Sequence, residues 1–287
     1  MALAVRRFDD VEAFLTATGD FLAAREAEHN LIFGICDWLR RNPERVEDAP
    51  DLMAVIDANG GVVAASVRTP PNNAVLSMVD DLAAVDALAD AYGPDVRGVL
   101  GARDAAARFA ARWTERTGGR AAIEMAERIF RLERVAPPRP TSGTWRLLQT
   151  GDGDLIAGWV IAFVSEATSD EPPSPAEMQE VVARWIRQEG TLAYVWEERG
   201  TVVSLVAARG ETPNGIRIGP VYTPPEHRAH GYASALTAAA SQDQLDRGRR
   251  YCFLFTDLSN PTSNKIYQSI GYEPVCDVDM YRFETDA

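Results

Sequence analysis

Cysteine is scarce in this chain: three residues, Cys36, Cys252 and Cys276, with no Cys-x-x-Cys pair. Histidine is just as scarce, also at three, and no His-Glu-x-x-His run occurs. No set of residues therefore has the spacing of a zinc site, and no metal is expected. Scattered thiols suit a reducing compartment better than a disulfide framework. Long apolar runs are missing too. The longest, residues 155–164, is far short of the roughly 20 residues that span a bilayer. The first ten residues, with Arg6, Arg7, Asp9 and Asp10, do not have the layout of a signal peptide. The expectation is a soluble, cytoplasmic protein without a membrane partner. Positive charge is in deficit, with 29 Lys and Arg against 42 Asp and Glu and a net charge of -13. A nucleic-acid partner would favour a basic face, so none is expected. The acidity serves solubility first and, more weakly, steers cationic, amine-bearing substrates.

The 287 residues are 46% hydrophobic, enough for real cores and for two domains. Ala136-Pro-Pro-Arg-Pro-Thr-Ser-Gly143 reads as a stiff, extended linker. It divides the chain into 1–136, a linker at 137–143, and 144–287. In the first part, residues 4–8 read as a strand and 10–41 as mostly helix, broken near Gly34. Asn59-Gly60-Gly61 between apolar runs marks a hairpin. A strand at 74–78, a helix at 80–92, a strand at 97–101, a helix at 102–117 and strands at 121–125 and 129–135 follow. In the second part come a strand (145–149), a helix from Asp154, and a loop at 168–173. Ser174-Pro175-Ala-Glu177 has the Ser, Pro and Glu of a capping box that opens a further helix. Met178, Val181, Val182, Trp185 and Ile186 form the apolar stripe of that helix. Strands at 191–197, 201–209 and 216–223 lead to an alanine-rich helix capped by Gly248. A strand at 251–256, a helix from Asn260 and a hairpin over 272–283 complete the chain.

One stretch carries chemistry. Residues 216–223 run into Arg228-Ala229-His230-Gly231-Tyr232-Ala233-Ser234. A glycine at the mouth of a helix lets backbone N–H groups approach an anion, and the helix dipole adds favourable potential. The spacing is neither a Walker loop nor a dinucleotide-binding fingerprint. Gly219-Pro220 interrupts the preceding strand, so a bulge or an unpaired edge is expected there. Further on stands Asn260-Pro-Thr-Ser263-Asn-Lys-Ile266-Tyr267-Gln-Ser-Ile-Gly271-Tyr272.

The two stretches in this order resemble the pyrophosphate-binding Arg/Gln-x-x-Gly-x-Gly/Ala motif and the Asn-x-x-Ala-x-x-Leu-Tyr-x-x-x-Gly-Phe signature of the GNAT superfamily of N-acetyltransferases. Ser263, Ile266 and Tyr272 are the conservative departures, and the resemblance covers roughly 144–283. It implies a mixed α/β (α+β) fold whose central, mostly antiparallel sheet is splayed and flanked by helices. It also implies acetyl-CoA as co-substrate. Its pantetheine arm would lie along Val221, Tyr222 and Thr223, and its pyrophosphate on the amides of residues 228–234. Asn260, an N-cap by type, and Ser263 would stand beside the arm. Tyr267 would protonate the departing thiolate. The acceptor would be a primary amine, on a small molecule or on a peptide or protein. The base is open: family glutamates are matched here by Phe255 or by nothing, leaving Asp257, Glu166 or a water chain. A binder of CoA without catalysis, and a larger acyl donor, are the other readings. The first half follows a similar order of strands and helices, but Val79-Asp80-Asp81 replaces the cradle. That order of elements, with no motif behind it, reads as a degenerate GNAT-like copy in tandem.

Overall fold

The computed structural model describes residues 3–46, 48–167 and 172–284; most of the loop expected at 168–173 lies outside them. In chain order the elements are β1 (Ala4–Phe8), α1 (Val11–Ala23), α2 (Asn30–Arg41), β2 (Asp51–Ile56), β3 (Val62–Arg68), β4 (Ala74–Leu76), α3 (Leu82–Ala91), β5 (Gly98–Ala102), α4 (Arg103–Thr117) and β6 (Arg120–Leu132). They continue with β7 (Thr144–Leu147), α5 (Gly153–Ala167), α6 (Pro175–Ile186), β8 (Thr191–Glu198), β9 (Thr201–Glu211), β10 (Gly215–Tyr222), α7 (Tyr232–Asp246), β11 (Tyr251–Asp257), α8 (Pro261–Ser269) and β12 (Glu273–Glu284). The fold is mixed α/β, with antiparallel pairing dominant and helices flanking the sheet. The chain forms two compact units. The first comprises residues 1–130, 255–261 and 274–287; the second comprises 131–254 and 262–273. The last strand belongs to the first unit, and the proline-rich segment belongs to the second.

In the first unit the strand order is β1-β2-β3-β4-β5-β12-β6. Only β4 and β5 pair parallel, Ala74 with Val99 and Val75 with Leu100. β12 lies antiparallel to β5 from Val278–Ala102 to Arg282–Gly98. The tight turn forms where expected: Asp57 Oδ1 accepts from the amides of Asn59 and Gly61, both at 2.8 Å, and Gly60 has φ +85. Beneath α4, Phe283 of β12 stacks on Trp113 with centroids 4.3 Å apart and on Phe109 at 6.1 Å. Three local expectations change. The break between α1 and α2 falls at residues 24–29, and Gly34 is buried inside α2. The strands expected at 121–125 and 129–135 are one strand, β6. The expected terminal hairpin is a single strand, β12, because its backbone is taken up by β5 over Val278–Arg282.

In the second unit the order is β11-β10-β9-β8-β7. Its core packs Ile156 and Val160 of α5 and Met178, Val182 and Trp185 of α6 onto Ala193, Val195, Leu205 and Ala207. Burial of each large apolar side chain contributes about 1.5–3 kcal/mol. The capping box of α6 is present: Ser174 Oγ accepts from the Glu177 amide, and Glu177 accepts from the Ser174 amide. On the opposite face α7 is tied to β8, where Tyr194 Oη donates to Asp243 at 2.6 Å and accepts from Gln244 at 2.7 Å. The proline-rich segment is bound rather than loose. Trp196 Nε1 donates to the Ser142 carbonyl at 2.9 Å, and Thr141 Oγ1 donates to the His230 carbonyl at 2.8 Å.

Candidate active site

β10 is held by β11 along only part of its length. The parallel register runs from Gly215–Tyr251 to Arg217–Phe253 and stops, while β10 continues to Tyr222. On its other edge β10 stays paired with β9. The register shifts between Ile218–Ala208 and Val221–Val206, so Gly219 and Pro220 stand opposite one residue. This is the expected bulge, at a glycine with φ +149 and a proline that has no N–H to give. The side of β10 over residues 218–222 that faces away from β9 has no ladder with β11. Ser204, fully buried on β9, fixes the strand end: its hydroxyl bonds the Tyr222 carbonyl at 3.2 Å and Thr223 Oγ1 at 2.8 Å.

The chain then turns through residues 225–231 into α7. Ala229 has φ +68 and Gly231 φ +84, with Arg228 between them and the strand at φ -71. Left-handed residues close together in a turn bring successive amides to one side, a nest for anions. Gly231 is the N-cap residue of α7 and no side chain caps the helix, so the first-turn amides of Tyr232, Ala233 and Ser234 lack the partner that a serine or aspartate would supply. His230 acts through its ring within the turn. Its Nδ1 lies 2.8 Å from the Arg228 carbonyl, and the ring stacks on Tyr232 at 5.4 Å. Thr141 closes the back of the turn, 3.8 Å from where a Cβ on Gly231 would sit. Sequence reasoning had no signal for Thr141, because its segment shows only that it is extended.

Arg228 is engaged on the strand side. Its Nε donates to the Thr223 carbonyl at 2.9 Å and its Nη2 to Glu166 at 2.7 Å. The other Glu166 oxygen accepts from the Tyr222 hydroxyl at 3.0 Å. The guanidinium lies 5.9 Å from the Tyr222 ring centroid, and Trp159 and Phe163 of α5 pack on the same ring at 6.2 and 6.5 Å. Partial desolvation, with the Glu166 carboxylate second, raises the Tyr222 pKa. This cluster joins residues 62 apart, and nothing in the sequence pairs them.

Tyr267 lies on the inner face of α8, 8% exposed. Its ring meets Tyr272 edge-on at 6.1 Å, and the Tyr272 hydroxyl bonds Ser241 of α7 at 2.8 Å. Burial alone pushes the Tyr267 phenol up to about 12. Asn260 precedes Pro261 at the start of α8, with Ser263 in its first turn, and the Asn260 amide donates to Asp257 O. Asp257 is already occupied: its two oxygens accept from the Ser259 amide and hydroxyl, both at 2.7 Å. Among the described residues no group of three or more His, Cys, Asp or Glu is placed to hold a metal.

The first unit shows what stands in place of a cradle. Asp81 is the N-cap of α3 and accepts from the Ala83 amide at 2.9 Å, while Asp80 pairs with Arg25 at 2.8 Å. The amide of Met78, just past β4, donates to Nε2 of the buried His29 at 2.9 Å, and His29 Nδ1 bonds the Leu22 carbonyl at 2.8 Å. Internal groups thus take both the helix start and the strand end. A cavity of about 770 Å³ lies beside them, lined by Val79, Asp80, Arg103, Arg128, Cys276 and Asp277 among others. Its arginines both pair with Asp277.

Comparison with known proteins bears on the fold. Residues 159–272 match the Acetyltransferase (GNAT) family. No curated protein matches the chain. Among solved structures, a Drosophila protein superposes with a TM-score of 0.67 at 13% identity, covering 99% of both chains. A GCN5-related N-acetyltransferase from Sphaerobacter thermophilus gives 0.59 at 16%, covering 98% of this chain and 95% of its own. A tandem GNAT protein from the clavulanic acid biosynthesis pathway gives 0.53 at 14%, covering 99% and 98%. At such identities the likeness is one of fold. The chain thus shares the fold of GNAT structures along nearly its whole length, and the match to the family itself lies in residues 159–272.

Proposed function

We propose that the C-terminal half transfers an acetyl group from acetyl-CoA to a primary amine by direct attack within a ternary complex. The observation that carries this reading is the uncapped start of α7 behind Ala229 and Gly231, at the end of a strand that leaves its parallel neighbour after Arg217. The amides of residues 229–234 would hold the pyrophosphate, with Arg228 as an added positive charge. Val221, Tyr222 and Thr223 would bond the pantetheine arm as an added strand does, with Asn260 and Ser263 also along the arm. Backbone N–H groups of the open strand would polarise the thioester carbonyl.

The amine nitrogen, deprotonated, attacks the carbonyl carbon; the C–N bond forms as the C–S bond breaks. The proton lost from nitrogen passes to solvent or to a carboxylate. The thiolate takes a proton from Tyr267, which solvent then restores. A phenol held at about 12 stays protonated through neutral pH, which is the form an acid needs. We place the protein in the cytoplasm, in keeping with its free cysteines, and the acceptor among small-molecule or peptide amines. We read 1–136 and 144–287 as two GNAT-like copies by chain order, with β12 contributed to the sheet of the first, and only the second has a cradle.

Calorimetry with acetyl-CoA and release of free thiol across an amine panel test the proposal together. Wild-type protein should bind one acetyl-CoA and release thiol with at least one amine. Gly231→Glu should abolish binding, because it places a carboxylate where the pyrophosphate would lie and strains a left-handed backbone. Binding that survives Gly231→Glu would refute the cradle. Binding without thiol release from any amine would favour a non-catalytic CoA protein.

A further inference from the structure

Arg228 occupies a position that suits another cation. Its guanidinium is bound by the Glu166 carboxylate at 2.7 Å and lies 5.9 Å from the Tyr222 ring. Trp159 and Phe163, both half-buried, complete an aromatic wall around that ring. A carboxylate beside aromatic faces is the chemistry that recognises an ammonium group on an apolar body. The same arginine stands at the mouth of an anion nest. Arg228 and Glu166 are about half exposed, at 49% and 48%, and such pairs hold weakly in water. A pyrophosphate offers the guanidinium a stronger partner.

We propose that Arg228 is an internal stand-in for the acceptor's cation, and that cofactor loading draws it away and exposes an amine site made of Glu166, Tyr222, Trp159 and Phe163. This rests on the acetyl-CoA reading above and deepens it. The acceptor class becomes a protonated primary amine on an aromatic or apolar body, and the order of binding becomes cofactor first. The Tyr222 hydroxyl keeps its bond to Glu166 and holds the carboxylate in place once Arg228 leaves. Because linkage is reciprocal, the amine tightens CoA by the same factor as CoA tightens the amine.

The test is calorimetry on the full chain with 2-phenylethylamine as probe, 2-phenylethanol as the uncharged control, and CoA as the loaded ligand. CoA-loaded wild type should bind the amine about 5–150-fold more tightly than the free protein, the usual range of such coupling. Free Arg228→Ala should bind the amine as the loaded wild type does. Glu166→Gln should weaken amine binding to the loaded form without weakening CoA. Equal amine affinity in free wild type and free Arg228→Ala would overturn the proposal, as would phenylethanol binding as well as the amine, or no amine binding in any form. Should CoA itself fail to bind wild type, the acetyl-CoA reading falls separately, and the cofactor-free Arg228→Ala comparison still decides whether Arg228 masks the site.

Discussion

Tyr267 joins two properties at one atom: a hydroxyl on a buried ring, and a proton that burial retains up to about pH 12. Tyr267→Phe keeps the ring and its edge-on packing on Tyr272, so folding and acetyl-CoA affinity should persist. Turnover should fall about 10²–10⁴-fold, the usual range for general acid–base help. Single-turnover thiol release measures this, and unchanged turnover would remove Tyr267 from the mechanism. His29 is a second residue whose proton matters. Desolvation lowers its pKa below the ordinary 6.5, outweighing the Leu22 carbonyl that favours the charged form. Its Nε2 accepts from Met78, which only the neutral ring can do. The unfolded chain therefore binds the extra proton more readily. The contribution of this histidine is fully present above pH 6.5 and is lost as the pH falls through that value toward the lower folded pKa. Urea melts between pH 7 and 5 should show stability falling with pH, and His29→Gln should flatten that slope. An unchanged slope would place the pH dependence elsewhere.

At the scale of elements, the two helix starts that follow β4 and β10 have opposite chemistry. α3 is capped by Asp81, whereas α7 begins at a left-handed glycine with no capping side chain. A cap of this kind stabilises by about 0.5–2 kcal/mol, so Asp81→Ala should lower stability by that amount in denaturant melts while leaving acetyl-CoA affinity unchanged. A gain of CoA binding in the first unit on this substitution would mean that the carboxylate alone excludes the nucleotide. Helices and caps of this kind were legible in the sequence because their signals are local. Ser174 and Glu177 are three residues apart, Gly248 stands just past the C-cap Arg247 of its helix, and Gly219-Pro220 marks its own bulge. The sequence puts the break between α1 and α2 at Gly34 and the structure puts it at residues 24–29, since a glycine inside a buried helix face looks the same in sequence as one that ends a helix. The site was legible as far as its backbone: the 228–234 turn could be read, but not the Glu166 and Thr141 contacts that fix it. Those depend on which side chains tertiary packing brings together.

At the scale of the whole molecule, the least legible feature is the place of β12. A linear reading assigns residues 273–284 to the second half, next to the motif that carries Tyr267. The structure instead pairs Val278–Arg282 with β5 of the first unit and sets Phe283, 8% exposed, against Trp113 and Phe109. No local signal encodes this, because strand partners are chosen by edges and by the faces that need covering. The consequence is that the first unit cannot complete its sheet until the last residues of the chain have been made. Phe283→Ala should destabilise the first unit by about 3–5 kcal/mol, the usual cost of emptying a buried aromatic site. Ending the chain at Gly271 should do more, since it also strips the β5 edge of its ladder. Hydrogen exchange at the β5 amides of Val99 and Gly101, which face β12 in the register set by the Phe283 amide on the Arg97 carbonyl, reads the result directly. Protection should be lost in the truncated chain, while the amides of Leu205 and Val206 in β9, whose neighbours β8 and β10 remain, stay protected. Retained protection at Val99 and Gly101 would show that residues 1–130 close their own sheet without β12.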